Sequence, residues 1–186
     1  MKRFIALLFA VVLFASCDDG DIIVTDFDFD AESELQMCKS GNKNVLYIIN
    51  NDPVESIVFT FADEDFDGRF ADDIESEERV ISLGGDNELI YRTFDEQING
   101  NYYCTGVPPS EPAIKTEFRN KDGGRIDLIT TVIDQEVDEL DGTVTKTFRT
   151  HAVARDFILK NSYKEEEIVR ETMHLGSFTK TTTYDL

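Results

Sequence analysis

The stretch DEDFDGRFADDIE, residues 63–75, is where this sequence comes nearest to a specific chemistry. Asp63, Asp65 and Asp67 stand at every second position and Gly68 follows. A calcium loop opens in this way: alternate carboxylates converge on a hard cation, and glycine permits the sharp turn that brings them together. Phe70 occupies a place where such loops carry an apolar residue. The pattern departs at position twelve, where Ile74 replaces the expected bidentate glutamate, so closing the shell falls to Asp72, Asp73 or Glu75. The preceding residues 57–61 read as strand, not helix. A solvated acidic turn with no ion is the alternative in so acidic a chain. Calcium is the one cofactor these residues suggest.

Other reactions find little to work with. The sequence has no GxSxG around a serine, no HExxH, no CxxC and no glycine-rich phosphate loop. His151 and His174 are its only histidines, on separate alternating segments, and supply half of a zinc site that needs three or four ligands. Each reads as an exposed or cross-strand residue. With 38 acids, carboxylate catalysis on a glycoside stays open as a third reading, but no pair stands out, and there is no tryptophan to stack on a sugar. The formal charge of −20 argues against nucleic acid or anionic lipid as an electrostatic partner and favours cations or basic proteins. Acidity is concentrated early: between residues 17 and 107 the only basic residues are Lys39, Lys43, Arg69, Arg79 and Arg92.

The N-terminus gives an address. Lys2 and Arg3 precede an apolar run over residues 4–14, then Ala15 and Ser16, the charged, apolar and small-residue order of a secretory signal. The run is shorter than the roughly 20 residues of a membrane-spanning helix. Phe14-Ala15-Ser16-Cys17 resembles the lipobox of bacterial lipoproteins. That resemblance implies diacylglycerol on the Cys17 thiol and cleavage that leaves Cys17 as the first residue, whereas an ordinary signal cut nearby would leave it free. Two or three acyl chains make such an anchor effectively permanent. Asp18, Asp19 and Asp21 follow directly, with no basic residue before Lys39. An aspartate here resembles either an inner-membrane retention signal or the surface-export signal of Bacteroidetes-type lipoproteins; the acidic run favours export. The expected organisation is a signal peptide at residues 1–16, an acidic tether at 17–21 and a single domain at 22–186.

In the oxidising compartment this implies, Cys38 and Cys104 are an even pair and are expected to form a disulfide. The elements that must hold these groups read as strands almost throughout. In DIIVTDFDFD, Ile23, Thr25, Phe27 and Phe29 share one face while Asp26, Asp28 and Asp30 share the other. Further strands are expected at residues 45–49, 56–61, 79–83 and 89–94, with SGNKN and GGDN as turns. The second half reads as a meander: 114–119, 125–137, 144–154, a hairpin of 157–160 with 168–175, and a closing strand at 177–184. Alternation slips at residues 155–157, the sign of a bulge or a change of sheet. Only residues 71–78 suggest a turn or two of helix.

About ten strands with almost no helix argue for an all-β fold, an antiparallel β-sandwich or a barrel. Gly100-Asn101-Tyr102-Tyr103-Cys104 is similar to the end of an immunoglobulin-type strand, where a tyrosine precedes the second cysteine by two. This implies a loosely immunoglobulin-like sandwich. The expected function is a non-catalytic, surface-anchored lipoprotein, held in the outer membrane by its lipid, that acts as a binding or accessory subunit beside other outer-membrane proteins. A calcium-dependent adhesion or ligand-binding module using residues 63–75 is the alternative.

Overall fold

The computed structural model describes residues 29, 34–52, 54–62, 76–107, 109–121 and 123–185. Among them run nine strands: β1 (Gln36–Ser40), β2 (Lys43–Asn51), β3 (Val54–Ala62), β4 (Ser76–Ser82), β5 (Glu88–Phe94), β6 (Ile114–Asn120), β7 (Arg125–Asp138), β8 (Thr143–Asn161) and β9 (Glu167–Asp185). A single helical turn, α1 (Asn101–Cys104), lies between β5 and β6. All nine strands belong to one open sheet in the order β1-β2-β3-β5-β6-β8-β7-β4, with β9 along the other side of β8. Every strand pair is antiparallel. The all-β expectation therefore holds as one antiparallel sheet.

The slip in alternation at residues 155–157 marks the sheet's main topological event. Along one edge, β8 pairs with β7 as far as Arg155 and then with β6 from Leu159. Asp156 between them has φ of 52°. Aspartate is one of the few residues with a side chain that tolerate the left-handed region, so the chain can break its pleat there and change partner. The segments expected separately at 144–154 and 157–160 are thus one strand, and those at 168–175 and 177–184 are another.

Two apolar clusters hold the sheet. The larger one takes Leu46, Ile57, Phe59 and Leu89 from β2, β3 and β5, and Ile126, Phe148, Phe157 and Leu175 from β7, β8 and β9. Phe29, on the expected core face of its segment, is buried in the same cluster. The smaller cluster lies on the opposite face of β2, β3 and β5, where Val45, Tyr47, Val58 and Ile90 meet Tyr102 and Tyr103 of α1. These central strands are therefore buried on both sides, and their central runs, VLYII and IVF, are correspondingly apolar at every position instead of alternating.

Two local expectations are corrected. Residues 101–104 form a helical turn, not the end of an immunoglobulin-type strand; adjacent Tyr102 and Tyr103 both bury against the smaller core, which a strand would send to opposite faces. Glu77 and Glu78, expected at the end of a helical turn, belong to β4, where pairing with β7 overrides their helical preference.

Candidate functional site

The anchor residue Cys17, the export residues Asp18, Asp19 and Asp21, and the calcium candidates Asp63, Asp65, Asp67 and Asp72 lie outside the described residues. Cys38 and Cys104 do come together: a disulfide joins β1 to the end of α1, with Cα atoms 5.8 Å apart. The staple thereby binds the edge strand to the segment that covers the smaller core. Tyr47 beneath it donates to Gln36 Oε1 at 2.7 Å. His151 and His174 stay apart; His151 sits opposite Ser177 and His174 opposite Val153. Among the described residues no group of three or more His, Cys, Asp or Glu side chains is placed to hold a metal ion.

The acids that are buried serve the scaffold. Glu117 accepts from Arg92 Nε and from Arg119 Nε, each at 2.7 Å. Burial pushes its carboxyl upward, but the hydrogen bonds and charges of Arg119 and Arg92 outweigh this and hold it below the ordinary carboxylate value. Arg92 also lies over the ring of Tyr103, whose hydroxyl is 2.5 Å from Ser56 Oγ. On β7, Asp127 pairs with Arg125 at 3.1 Å and with Arg155 of β8. On the face of the larger core, Tyr91 donates to Glu55 Oε2 at 2.6 Å. Burial, then the bond to Glu55 and its charge, raise Tyr91 far above the ordinary tyrosine value, so its hydroxyl remains a donor.

Beside Tyr91 a cleft of about 360 Å³ opens between β5, β6 and the β8–β9 turn. Its floor is the cross-strand pair Tyr91 and Phe118, rings 6.2 Å apart, and one step outward comes the pair Thr93 and Thr116. The register explains its first cation. Thr93 pairs with Thr116 but Phe94 pairs with Ile114, leaving Lys115 as the extra residue of a bulge. A bulge re-aims the side chain it carries, and Lys115 lines the cleft next to Thr116.

The opposite rim is the β8–β9 turn, bearing Tyr163, Lys164 and Glu166. Asn161 organises it: its Oδ1 accepts from Tyr163 N–H at 2.9 Å, its Nδ2 donates to Glu166 Oε2 at 2.7 Å, and its own N–H donates to Glu166 O at 2.9 Å. Ser162 fastens the turn to β6, its Oγ donating to Glu117 Oε1 at 3.0 Å and its N–H to Glu117 O at 2.9 Å. The rim is thus preorganised by the same Glu117 that pairs with Arg92 and Arg119.

Sequence reasoning missed this site. Lys115 alternates regularly with Ile114 and Thr116 in the sequence, and the bulge that brings it to the edge of the cleft appears only in the register with β5. The readable signal was Asn161-Ser162 followed by charge, a turn that organises itself around an asparagine side chain. No family model matches the chain, and neither a curated protein nor a solved structure matches it.

Proposed function

We propose that the mature protein is a non-catalytic binding or accessory subunit, tethered by lipid on Cys17 to the outer membrane with its β-rich part exposed at the cell surface. The lipobox-like block and the acidic run behind it support the address, and the Cys38–Cys104 disulfide agrees with an oxidising compartment. A folded-over sandwich arrangement goes with this reading. Its support is one core drawn from β2, β3 and β5 together with β7, β8 and β9, and a bridge from Glu34 to Ser177 that joins the approach to β1 with β9.

The observation that carries the docking role is the far end of the β7–β8 hairpin. Among the described residues the pairing of β7 with β4 reaches Thr131, while β7, β8 and β9 run on together to Asp138, Thr143 and Asp185. This arm exposes Ile133 and Val137, and Leu140 at its turn is 98% exposed. An apolar knob held out on a paired hairpin has the shape of an anchor that fills a partner's pocket. The acids around it, Asp138, Glu139 and Asp141, suit a basic rim on another outer-membrane protein.

Tagged full-length protein, extracted with mild detergent from its native membrane, tests the reading. A partner should copurify with wild type, and Leu140→Asp with Val137→Asp should lose it while the thermal melt stays within a few degrees. Retention of the same partner by that variant would remove the arm from the proposal. For the anchor, Cys17→Ser should release the protein from membranes or leave an uncleaved precursor; unchanged fractionation with an unlipidated mature terminus would reject it.

A further inference from the structure

We infer that the cleft between β5, β6 and the β8–β9 turn binds a compact ring bearing a carboxylate, of the size and chemistry of a single acidic sugar. This site is separate from the β7–β8 arm and does not depend on the docking role. The cleft, about 360 Å³, sits at the small end of the roughly 300–1,000 Å³ range of ligand pockets, which suits an occupant, or the part of one, near one sugar ring in size. Tyr91 and Phe118 form an apolar floor, and Tyr163, 74% exposed, stands at the rim. Tyr91 and Phe118 are themselves packed into the larger core, so the aromatic face open to an occupant is that of Tyr163, which can receive the C–H face of a pyranose or the face of an aromatic ring.

Two features narrow the class. Thr93 and Thr116 face the cleft as a cross-strand pair, and among the described residues neither hydroxyl has a hydrogen-bond partner. A hydroxylated ring would satisfy them, whereas an unsubstituted aromatic ring would cover them and leave them unpaired, which is unfavourable. The second feature is charge. Lys115 has no ion-pair partner among the described residues, and Lys164 meets only Glu166, at 3.4 Å. Glu166 is itself engaged by Asn161 at 2.7 Å, so Lys164 can turn to an incoming carboxylate without leaving a bare acid behind. The overall charge of −20 repels anions from afar, but at physiological salt that field is screened over about 8 Å, and the contacting ammonium groups decide the outcome. The backbone of the site is built in advance: the bulge sets where Lys115 leaves the strand, and Asn161 and Glu117 fix the turn that carries Lys164. The ordering left for the ligand to impose is that of the two lysine side chains.

Calorimetric titration of the detergent-solubilised full chain with glucuronate, glucose and benzoate tests this. Glucuronate should bind saturably at one site, about tenfold or more tighter than glucose, which lacks the carboxylate, or benzoate, which lacks the hydroxyls. Lys115→Gln with Lys164→Gln, both surface changes, should remove the preference for glucuronate over glucose while leaving the melt unchanged. Thr116→Tyr, which fills the cleft, should abolish binding of all three. The inference is overturned if glucuronate fails to bind saturably, if glucose or benzoate binds as tightly, or if glucuronate binding survives the double lysine variant unchanged.

Discussion

At the scale of single residues, the decisive feature is a carboxylate that two arginines need. Glu117 is almost buried, Arg92 beside it is 13% exposed, and Arg119 is 42% exposed, so removing the acid strands one guanidinium in the interior while the other can turn to water. Breaking a buried pair from one side typically costs about 3–5 kcal/mol, and Glu117→Gln, which keeps the shape and one acceptor, should fall near the lower end of that range. Its effect extends to the cleft, because Ser162 of the rim donates to the same carboxylate. The pH dependence follows from the direction of the shift. A carboxylate held below its ordinary value contributes stability that is fully present above the unfolded value, about 4.3 for glutamate, and is lost as the pH falls through the lower folded value. Urea unfolding of wild type should therefore show this contribution intact from pH 7 to 5 and failing below about pH 4. Glu117→Gln should flatten that acid limb; an unchanged limb would assign the acid sensitivity to other carboxylates.

At the scale of elements, the fold turns on where β8 changes neighbour. Asp156 occupies the left-handed region between the stretch that pairs with β7 and the stretch that pairs with β6. A β-branched residue there should lose about 1–2 kcal/mol, because its second branch at Cβ crowds the backbone in a region that aspartate's short polar side chain tolerates. Glycine should restore the backbone and forfeit only the exposed pairing of Asp156 with Arg125, worth about 1 kcal/mol or less. Denaturant midpoints should thus place Asp156→Val well below wild type and Asp156→Gly close to it; equal losses would mean the ion pair matters and the backbone does not. This junction was legible in the sequence because a strand that changes partner must break its two-residue period, and residues 155–157 do. Most strands were legible for the same reason. What escaped were features that a partner imposes from outside: the bulge at Lys115, set by register with β5, and the helical turn at Tyr102-Tyr103, set by an apolar surface waiting on the far side of β2 and β3. The continuous apolar run of β2 did signal that hidden surface, since a strand covered on one face alone would have alternated.

At the scale of the whole molecule, the second core depends on a segment with little regular structure of its own. Between β5 and β6 the chain crosses the outer face of β2 and β3 with α1 as its one formal element among the described residues, and is fastened through Phe94 and Tyr102 packed edge-on at 5.1 Å, the Ser56–Tyr103 contact and the disulfide. Its approach is tight: a Cβ at Gly100 would run into the Tyr47 hydroxyl, so this position admits glycine alone without displacing the tyrosine. The disulfide closes a loop of 66 positions that contains β2, β3, β4 and β5, so it restricts the unfolded chain over more than a third of its length. In the chain-entropy account such a loop stabilises the fold by about 4 kcal/mol, which for a protein of this size corresponds to a shift in Tm on the order of 10 °C. Reduction should lower the melting temperature by that order, and Cys38→Ser with Cys104→Ser should reproduce the loss without reductant. The larger core does not use this staple. Intrinsic fluorescence of the six tyrosines, half of which are Tyr47, Tyr102 and Tyr103, should therefore show a component that reports loosening of the covering segment at lower denaturant than far-ultraviolet dichroism reports loss of the sheet. Coincident transitions in the reduced protein would show instead that the two cores melt as one cooperative unit, held by the strands they share.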